Sequence, residues 1–153
     1  MNMRKQTWRV AVSAAAICVA AVLPLGAKAD TEYIEIRTVN DLKGITATTD
    51  YNTKSYKLMA DIDMRYESWR IGGTFTGVFD GNGHTISNIY CANPWDTSGF
   101  FQTLGDGAVV RNLSLRGGKV TTNNGYIGGL AGTVSGTVLV EDCTIDVRVS
   151  GSG

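Results

Sequence analysis

The sequence predicts a mainly β protein, in which about three to four similar coils stack as a parallel β-helix (a solenoid) behind a short N-terminal capping helix. Three observations indicate this fold class. An apolar-x-Asn-apolar step recurs at Asn88 and Asn112, and again at Asp142 with Asp in place of Asn. A glycine-rich corner precedes each step. The chain of 153 residues has 19 glycines, two prolines and only 18% charged residues, which is typical of a turn-rich protein.

Residues 1–29 have the pattern of a secretory signal peptide. Basic residues come first, an apolar run of 14 residues follows over 10–23, and the small-x-small site Ala27–Ala29 stands before Asp30. The apolar run is too short to cross a membrane as a helix. We therefore predict cleavage after Ala29, a secreted or cell-surface location, and no membrane span in the mature chain.

Residues 30–73 are expected to form an N-terminal cap and the first coil. Alternating polar and apolar residues over 30–36 predict a short strand. Thr38 can cap a following helix, and Asp41 stands three residues later, as in a capping box. The apolar residues of this helix share one face. We expect the helix, which should end near Ala47, to lie as a lid over the open first coil.

A further strand is predicted over 55–64, where Asp61 and Asp63 alternate with Ile62 and so project from one face. Two neighbouring carboxylates could bind a metal ion or act in catalysis. The alternative is a strand end whose acids face water, and we favour this second interpretation.

Residues 74–153 are expected to form the repeats, with an incomplete coil at the C-terminal end. Asn88, Asn112 and Asp142 should form a structural turn ladder, because Asn and Asp tolerate left-handed backbone angles and can hydrogen-bond along a stack. Aligning the three steps predicts two sets of residues in register: Ile86 with Val110 and Val140, and Ile89 with Leu113 and Cys143 in one interior file.

Four segments in order resemble the GLUG-motif repeat family of bacterial secreted and surface proteins. They are FDGNGHTISNIY (79–90), GFF (99–101), RNLSL (111–115) and IGGLAG (127–132). The resemblance implies a right-handed parallel β-helix. It also implies an adhesin-like protein, or a module beside the catalytic domain of an IgA-cleaving zinc peptidase. No catalytic residues are carried over from the family.

The residues after Asp146 look like the start of a further coil. Terminal repeats normally carry a capping element, and the sequence provides no recognisable one here. We therefore expect a fragment or a truncated member of a longer architecture. An uncapped C-terminal coil would also allow end-to-end self-association.

Neither a catalytic site nor a metal site is predicted. His84 is the only histidine, whereas the zinc-peptidase helix needs two, so we interpret His84 as a turn residue. Most acids fall in corners, where turn chemistry explains them. Asp80 and Asn82 offer too few oxygen ligands for calcium. The prediction is a chain that is not an enzyme and binds no cofactor.

Cys91 and Cys143 are expected to be free, buried thiols that fill space in the core. The alignment places Cys91 with Leu115 and Ile145, and places Cys143 in a different file two coils away. Such a separation exceeds the reach of a disulfide, about 7 Å between Cα atoms.

Exposed aromatic residues are the candidates for ligand contact, because an aromatic ring with a polar tip suits protein and sugar surfaces. Trp95, Tyr90 and Tyr126 fall in predicted corners or outward strand positions. The expected partner is a host protein, a surface protein or a glycan. After residue 29 the chain has 14 acidic and 10 basic groups, which argues against nucleic acid.

Together these observations favour a non-catalytic secreted or cell-surface repeat module that serves in adhesion or as a structural stalk. One alternative is the N-terminal, non-catalytic part of a secreted peptidase or polysaccharide-acting enzyme whose catalytic domain is missing. Another alternative is a truncated gene product.

Overall fold

The computed structural model describes residues 32–94 and 96–151, so the predicted signal peptide and Trp95 lie outside the described residues. The described chain is mainly β, as predicted. Every pairing between its strands is parallel.

Twelve strands, one short α-helix and two 3-10 turns make up this part of the chain. In chain order they are β1 Ile34–Ile36, α1 Val39–Gly44, 3-10 turns at Ile45–Ala47 and Tyr51–Thr53, β2 Ser55–Leu58, β3 Ile62–Asp63, β4 Ile71–Phe75, β5 Val78–Asp80, β6 Thr85–Ala92, β7 Phe101–Leu104, β8 Val109–Arg111, β9 Ser114–Thr122, β10 Ala131–Val134, β11 Leu139–Glu141 and β12 Thr144–Gly151.

The strands form three sheets, with the orders β1-β2-β5-β8-β11, β3-β6-β9-β12 and β4-β7-β10. From β2 onward the chain visits these sheets in strict rotation. We call one pass through all three sheets a cycle. Each cycle lies beside the next, because a strand pairs with the strands one cycle before and one cycle after it.

The predicted register is confirmed between Val110 and Val140 and is wrong between Ile86 and Val110. Ile86 pairs with Leu115, whereas Val110 pairs with Phe79 on one side and with Val140 on the other. The step at Asn88 lies in the middle of a strand, β6, whereas the step at Asn112 lies in the corner before β9. The two steps look alike in sequence because Asn adopts a left-handed backbone in either setting.

The predicted interior file is therefore wrong in one member. Ile89 pairs with Gly118 in the sheet of β6 and β9. Cys143 stands just before Thr144, which pairs with Ser114, so Cys143 is level with Leu113 as predicted.

The predicted N-terminal helix is present with its capping box. The Thr38 hydroxyl accepts a hydrogen bond from the Asp41 backbone N–H (3.1 Å), and the Asp41 carboxylate accepts one from the Thr38 backbone N–H (2.9 Å). The α-helix ends at Gly44 and a 3-10 turn continues to Ala47. Leu42 and its 3-10 neighbour Ile45 are buried in the common core.

The predicted strand over 55–64 is divided between two sheets. Strand β2 ends at Leu58, and β3 begins only at Ile62. Asp61 thus lies in the corner between the strands, and only Asp63 lies on a strand.

Aromatic rings fill the centre of the molecule. Phe79, Phe100 and Phe101 pack edge to face, with ring centroids 5.1 to 5.8 Å apart. Phe75 lies 5.0 Å from Phe101, and Trp69 lies 5.8 Å from Phe100. These rings come from successive cycles, so one core runs across the predicted boundary between 73 and 74.

The two ends of the stack differ. At one end α1 packs beside β1. At the other end β10, β11 and β12 are the last strands of their sheets. Large apolar side chains are exposed on these last strands: Val134, Val140, Ile145 and Val149.

Candidate interaction surfaces

Tyr126, one of the two predicted ligand-contact residues that the structure describes, is 72% exposed. Its backbone C=O accepts a hydrogen bond from Ser98 N–H (2.9 Å), and the Thr122 hydroxyl donates to the Asp96 C=O (2.9 Å). Residues 96–98 therefore lie beside the segment that leads to Tyr126. The two segments form one surface at a corner of the stack.

Tyr90 is half-buried on β6, where its neighbour in the next cycle is Lys119. Its backbone C=O accepts a hydrogen bond from Trp69 N–H (3.0 Å). Tyr90 thus lies on a paired strand and is half-buried, whereas Tyr126 is exposed. Trp95, the third candidate, lies outside the described residues.

Two of the three residues of the predicted turn ladder share one corner. Asn88, Asn112 and Asp142 all have left-handed backbones, with φ of 53°, 51° and 50°. Asn112 and Asp142 follow paired strands, β8 and β11, and so occupy the same corner. Asn88 belongs to a different sheet, where its side-chain amide donates to the Asp63 carboxylate (2.9 Å).

Asn82 is the residue that the prediction missed in this corner. Its φ is 52°, and the next residue, Gly83, donates its N–H to the Asn112 C=O (2.9 Å). The left-handed column is therefore Asn82, Asn112 and Asp142. The Asp80–Gly83 corner is longer than the corresponding corners of the later cycles. For this reason the sequence alignment did not match Asn82 with Asn112 and Asp142.

A column of alternating charge crosses the five-stranded sheet, and sequence reasoning missed it entirely. The register places Glu35 beside Lys57, Lys57 beside Asp80, Asp80 beside Arg111, and Arg111 beside Glu141. Opposite charges that face each other on neighbouring strands favour that register. The signal for this column is present in the sequence, but only the correct alignment of the strands makes it visible.

Asp80 and Arg111 form the centre of the charge column. Their side chains are 2.9 Å apart (Oδ2 to Nε), and the side chain of Asp80 is only 8% exposed. The second carboxylate oxygen accepts hydrogen bonds from Asn82 N–H (2.8 Å) and from the Asn112 amide (3.2 Å). Arg111 also donates to the Tyr33 hydroxyl (3.0 Å).

The environment of Asp80 favours its ionised form. Burial by itself raises the pKa of this carboxyl group. The hydrogen bonds from Asn112 and from the Asn82 backbone, together with the charge of Arg111, outweigh burial and hold the pKa below its ordinary value. Burial by itself lowers the pKa of Arg111, but the charge and the hydrogen bond of Asp80, together with Tyr33 and Glu141, outweigh burial and raise this pKa. This ion pair therefore links two neighbouring cycles of the stack.

Asp61 and Asp63 are each engaged with the following cycle. Asp61 accepts hydrogen bonds from Thr85 N–H (2.9 Å) and from His84 Nδ1 (3.1 Å), and these bonds lower the pKa of Asp61. Hydrogen bonds from the Asn88 side chain and the Arg65 backbone lower the pKa of Asp63. Both carboxylates thus serve as hydrogen-bond acceptors, Asp61 at a corner and Asp63 at the end of β3, in line with the interpretation that we favoured.

Within residues 32–94 and 96–151, no group of three or more His, Cys, Asp or Glu side chains is arranged to hold a metal ion. His84 contacts Asp61, and neither Cys91 nor Cys143 is a hydrogen-bond partner of that pair.

Cys91 and Cys143 are both free, as predicted. Cys91 is buried and pairs with Val120, which corrects its predicted alignment with Leu115 and Ile145. Burial raises the pKa of the Cys91 thiol to about 12. Cys143 is only half-buried because it lies in the last cycle, so the prediction of a buried thiol is wrong for this residue.

A shallow depression of about 330 Å³ lies on the side of the stack, between the 3-10 turns and the chain that enters β4. Its lining includes Tyr51, Trp69 and Arg70. The indole N–H of Trp69 and the Nε–H of Arg70 have no hydrogen-bond partner in the described structure. The depression was not recognised in the sequence, since Tyr51 and the adjacent residues Trp69 and Arg70 come from separate segments.

Comparison with known proteins gives one similarity of interest. The chain is 32% identical over 139 aligned residues to halomucin of Haloquadratum walsbyi, and the alignment covers 81% of this chain but 2% of halomucin. The chain therefore spans a small fraction of the curated relative that it matches. No family model matches the sequence, and no solved structure matches it. In the described part of the chain, no helix has the length and apolar character needed to cross a membrane.

Proposed function

We propose that this chain is a non-catalytic, right-handed parallel β-helical module of the GLUG-repeat type, in a secreted or cell-surface protein, where it serves as a stalk or adhesion surface. The observation that carries the proposal is the strict rotation of the chain through three parallel sheets. A chain that returns to each sheet one strand further along, always in the same direction, advances as a solenoid.

The right-handed sense follows from a general property of parallel strands. When a strand connects to a parallel neighbour in the same sheet through a crossover, the crossover is right-handed in about 98% of cases. The connection from β5 to β8 through β6 and β7 is a crossover of this kind.

Three features support a structural role rather than a catalytic one. Asp61 and Asp63, the two acids that could have formed a metal or catalytic pair, accept hydrogen bonds from the following cycle instead. Asp80, the most buried acid described, is neutralised by Arg111. All four phenylalanine side chains are fully buried in one continuous core. Residues arranged in this way stabilise the stack and leave the corners, including Tyr126, for contact with a partner.

The proposed location draws on the similarity to halomucin. Its name denotes a mucin, and mucins are secreted or surface proteins. The apolar run at the start of the chain, which is typical of a signal peptide, favours the same location.

Protease treatment of intact cells of the source organism tests this proposal. We expect protease added outside the cells to degrade the chain, or the chain to be recovered from the medium, while a cytoplasmic marker stays intact. The control is the same treatment after lysis, in which the marker must also be degraded. A chain that is protected until the cells are lysed would contradict the proposed location.

A further inference from the structure

The depression beside Trp69 and Arg70 contains polar groups that the fold leaves without partners. All of its lining residues fall between 46 and 92, so neither end of the chain contributes to it. The Arg70 Nε–H and the Trp69 indole N–H have no hydrogen-bond acceptor in the described structure, although both nitrogen atoms are buried. Buried donors are normally paired, and an unpaired one destabilises a protein. Two such donors in one depression indicate a site that an acceptor from a ligand would complete.

The guanidinium group of Arg70 is held along one side only. Its Nη1 donates to the Ala92 carbonyl oxygen (3.2 Å). Among the described residues, no carboxylate forms an ion pair with Arg70. The edge that carries the Nε–H and an Nη2–H therefore has no described partner. Two parallel N–H groups on one edge match the two oxygens of a carboxylate, which is the strongest kind of partner for arginine.

The rest of the lining suits a sugar ring. Tyr51 and Trp69 contribute aromatic rings, and Thr46 and Ser68 contribute hydroxyl groups. Tyr51 is fixed because its hydroxyl donates to the Gly72 carbonyl oxygen (2.9 Å). Aromatic rings with polar tips pack on the apolar faces of sugars, while hydroxyl groups exchange hydrogen bonds with sugar oxygens. The volume of about 330 Å³ lies at the lower end of the range for small-ligand sites.

We propose that this depression binds an acidic sugar residue, of the uronic acid class, within a glycan. Arg70 binds the sugar carboxylate through Nε and Nη2, and Tyr51 and Trp69 pack on the ring. A neutral sugar leaves the guanidinium edge without an acceptor, so the site discriminates against it. This inference names a ligand for the adhesion role proposed above and rests on that role. The two can fail separately, since the ligand is tested on purified protein and the location is tested on intact cells.

A nuclear magnetic resonance titration of the full chain with trigalacturonate tests the proposal. The matched ligand is the trimethyl ester, which has the same three sugar rings but no charge. We expect trigalacturonate to shift the cross-peaks of the Arg70 Nε–H and the Trp69 indole N–H. The ester should bind at least about tenfold more weakly, because it cannot form the charged pair with Arg70.

Two arginine variants separate this site from a general attraction between charges. Arg70→Lys keeps the positive charge but removes the paired donors, and it should weaken the binding of trigalacturonate about tenfold. Arg116→Lys, at an exposed position that does not line the depression, is the matched control and should bind as wild type does. The remaining cross-peaks of each variant report whether its fold is intact.

Four results would overturn the proposal. They are an absence of binding at millimolar trigalacturonate, shifts confined to residues outside the depression, equal binding of the acid and the ester, and unchanged binding by Arg70→Lys. A short peptide with a free C-terminal carboxylate is the remaining comparison. If it binds more tightly than trigalacturonate, the site recognises protein ends, and the assignment to a sugar is wrong.

Discussion

Asp80 is the residue on which two neighbouring cycles depend most directly. Its carboxylate contacts Arg111 and Asn112 in the next cycle and the Asn82 backbone in its own corner. Removing one partner from a buried, hydrogen-bonded ion pair costs more than the pair contributes, because the remaining charge is left without compensation. The contribution of Asp80 should therefore be visible in equilibrium unfolding.

We expect Asp80→Asn to lower the free energy of unfolding by about 2 kcal/mol, since the amide keeps the shape of the side chain but leaves Arg111 without its counter-charge. Urea unfolding followed by circular dichroism measures the loss. Asp50→Asn is the matched control. Asp50 pairs with Lys54 at an exposed site, where ion pairs contribute little, and its substitution should leave the unfolding midpoint unchanged.

The effect of Asp80 should depend on pH in a defined direction. Its pKa is lower in the folded protein than the ordinary value of 3.8. The stabilisation is then fully present above about pH 4 and is lost as the pH falls through the folded pKa. The difference in stability between wild type and Asp80→Asn should shrink on acidification. A difference that grows as the pH falls would contradict this assignment.

The corners bring backbone of neighbouring cycles into close contact, and Gly81 shows why one corner needs a glycine. A Cβ atom at Gly81 would lie 2.4 Å from the Asn112 carbonyl oxygen and 2.5 Å from the Leu113 Cα. Neither atom belongs to a flexible side chain, so relief requires the two cycles to separate. The Asp80–Gly83 corner thus fixes the spacing between β5 and β8.

Gly81→Ala should destabilise the protein by about 2 kcal/mol, through overpacking between the cycles. Thermal unfolding of the variant measures this change. Gly44→Ala serves as the control, because no atom lies within 4 Å of the added Cβ and the residue ends a helix. The control should be neutral or slightly stabilising. Equal stability of the Gly81 variant and wild type would mean that the corner is more open than described.

At the element scale, the features that the sequence predicted are those that depend on residues close together in the chain. Helix α1 was predicted from Thr38 and Asp41, because a capping box requires only residues close together in the chain. Strand register was predicted correctly from the Asn112 step to the Asp142 step. It was wrong from Asn88 to Asn112, because these two residues share a pattern and a backbone angle but lie in different parts of the cycle. The charge column through Asp80 and Arg111 could not be seen without that register.

At the scale of the whole molecule, the recurrence of similar segments was enough to predict parallel, mainly β architecture. It was not enough to locate a binding surface. Tyr126 is exposed as expected, whereas Tyr90 lies on a strand within a sheet. The exposure of a residue on a strand depends on which neighbouring segments cover it, and the sequence alone does not show this.

The central claim is that successive cycles lie side by side in parallel, with Val110 between Phe79 and Val140. Neighbouring parallel strands place such side chains about 4.8 Å apart, within range of nuclear Overhauser effects in a protein of 16.3 kDa. We predict cross-peaks from the Val110 methyl groups to the Phe79 ring and to the Val140 methyl groups. Cross-peaks that instead join Val109 to Glu141 and Arg111 to Leu139, as antiparallel strands require, would contradict the account.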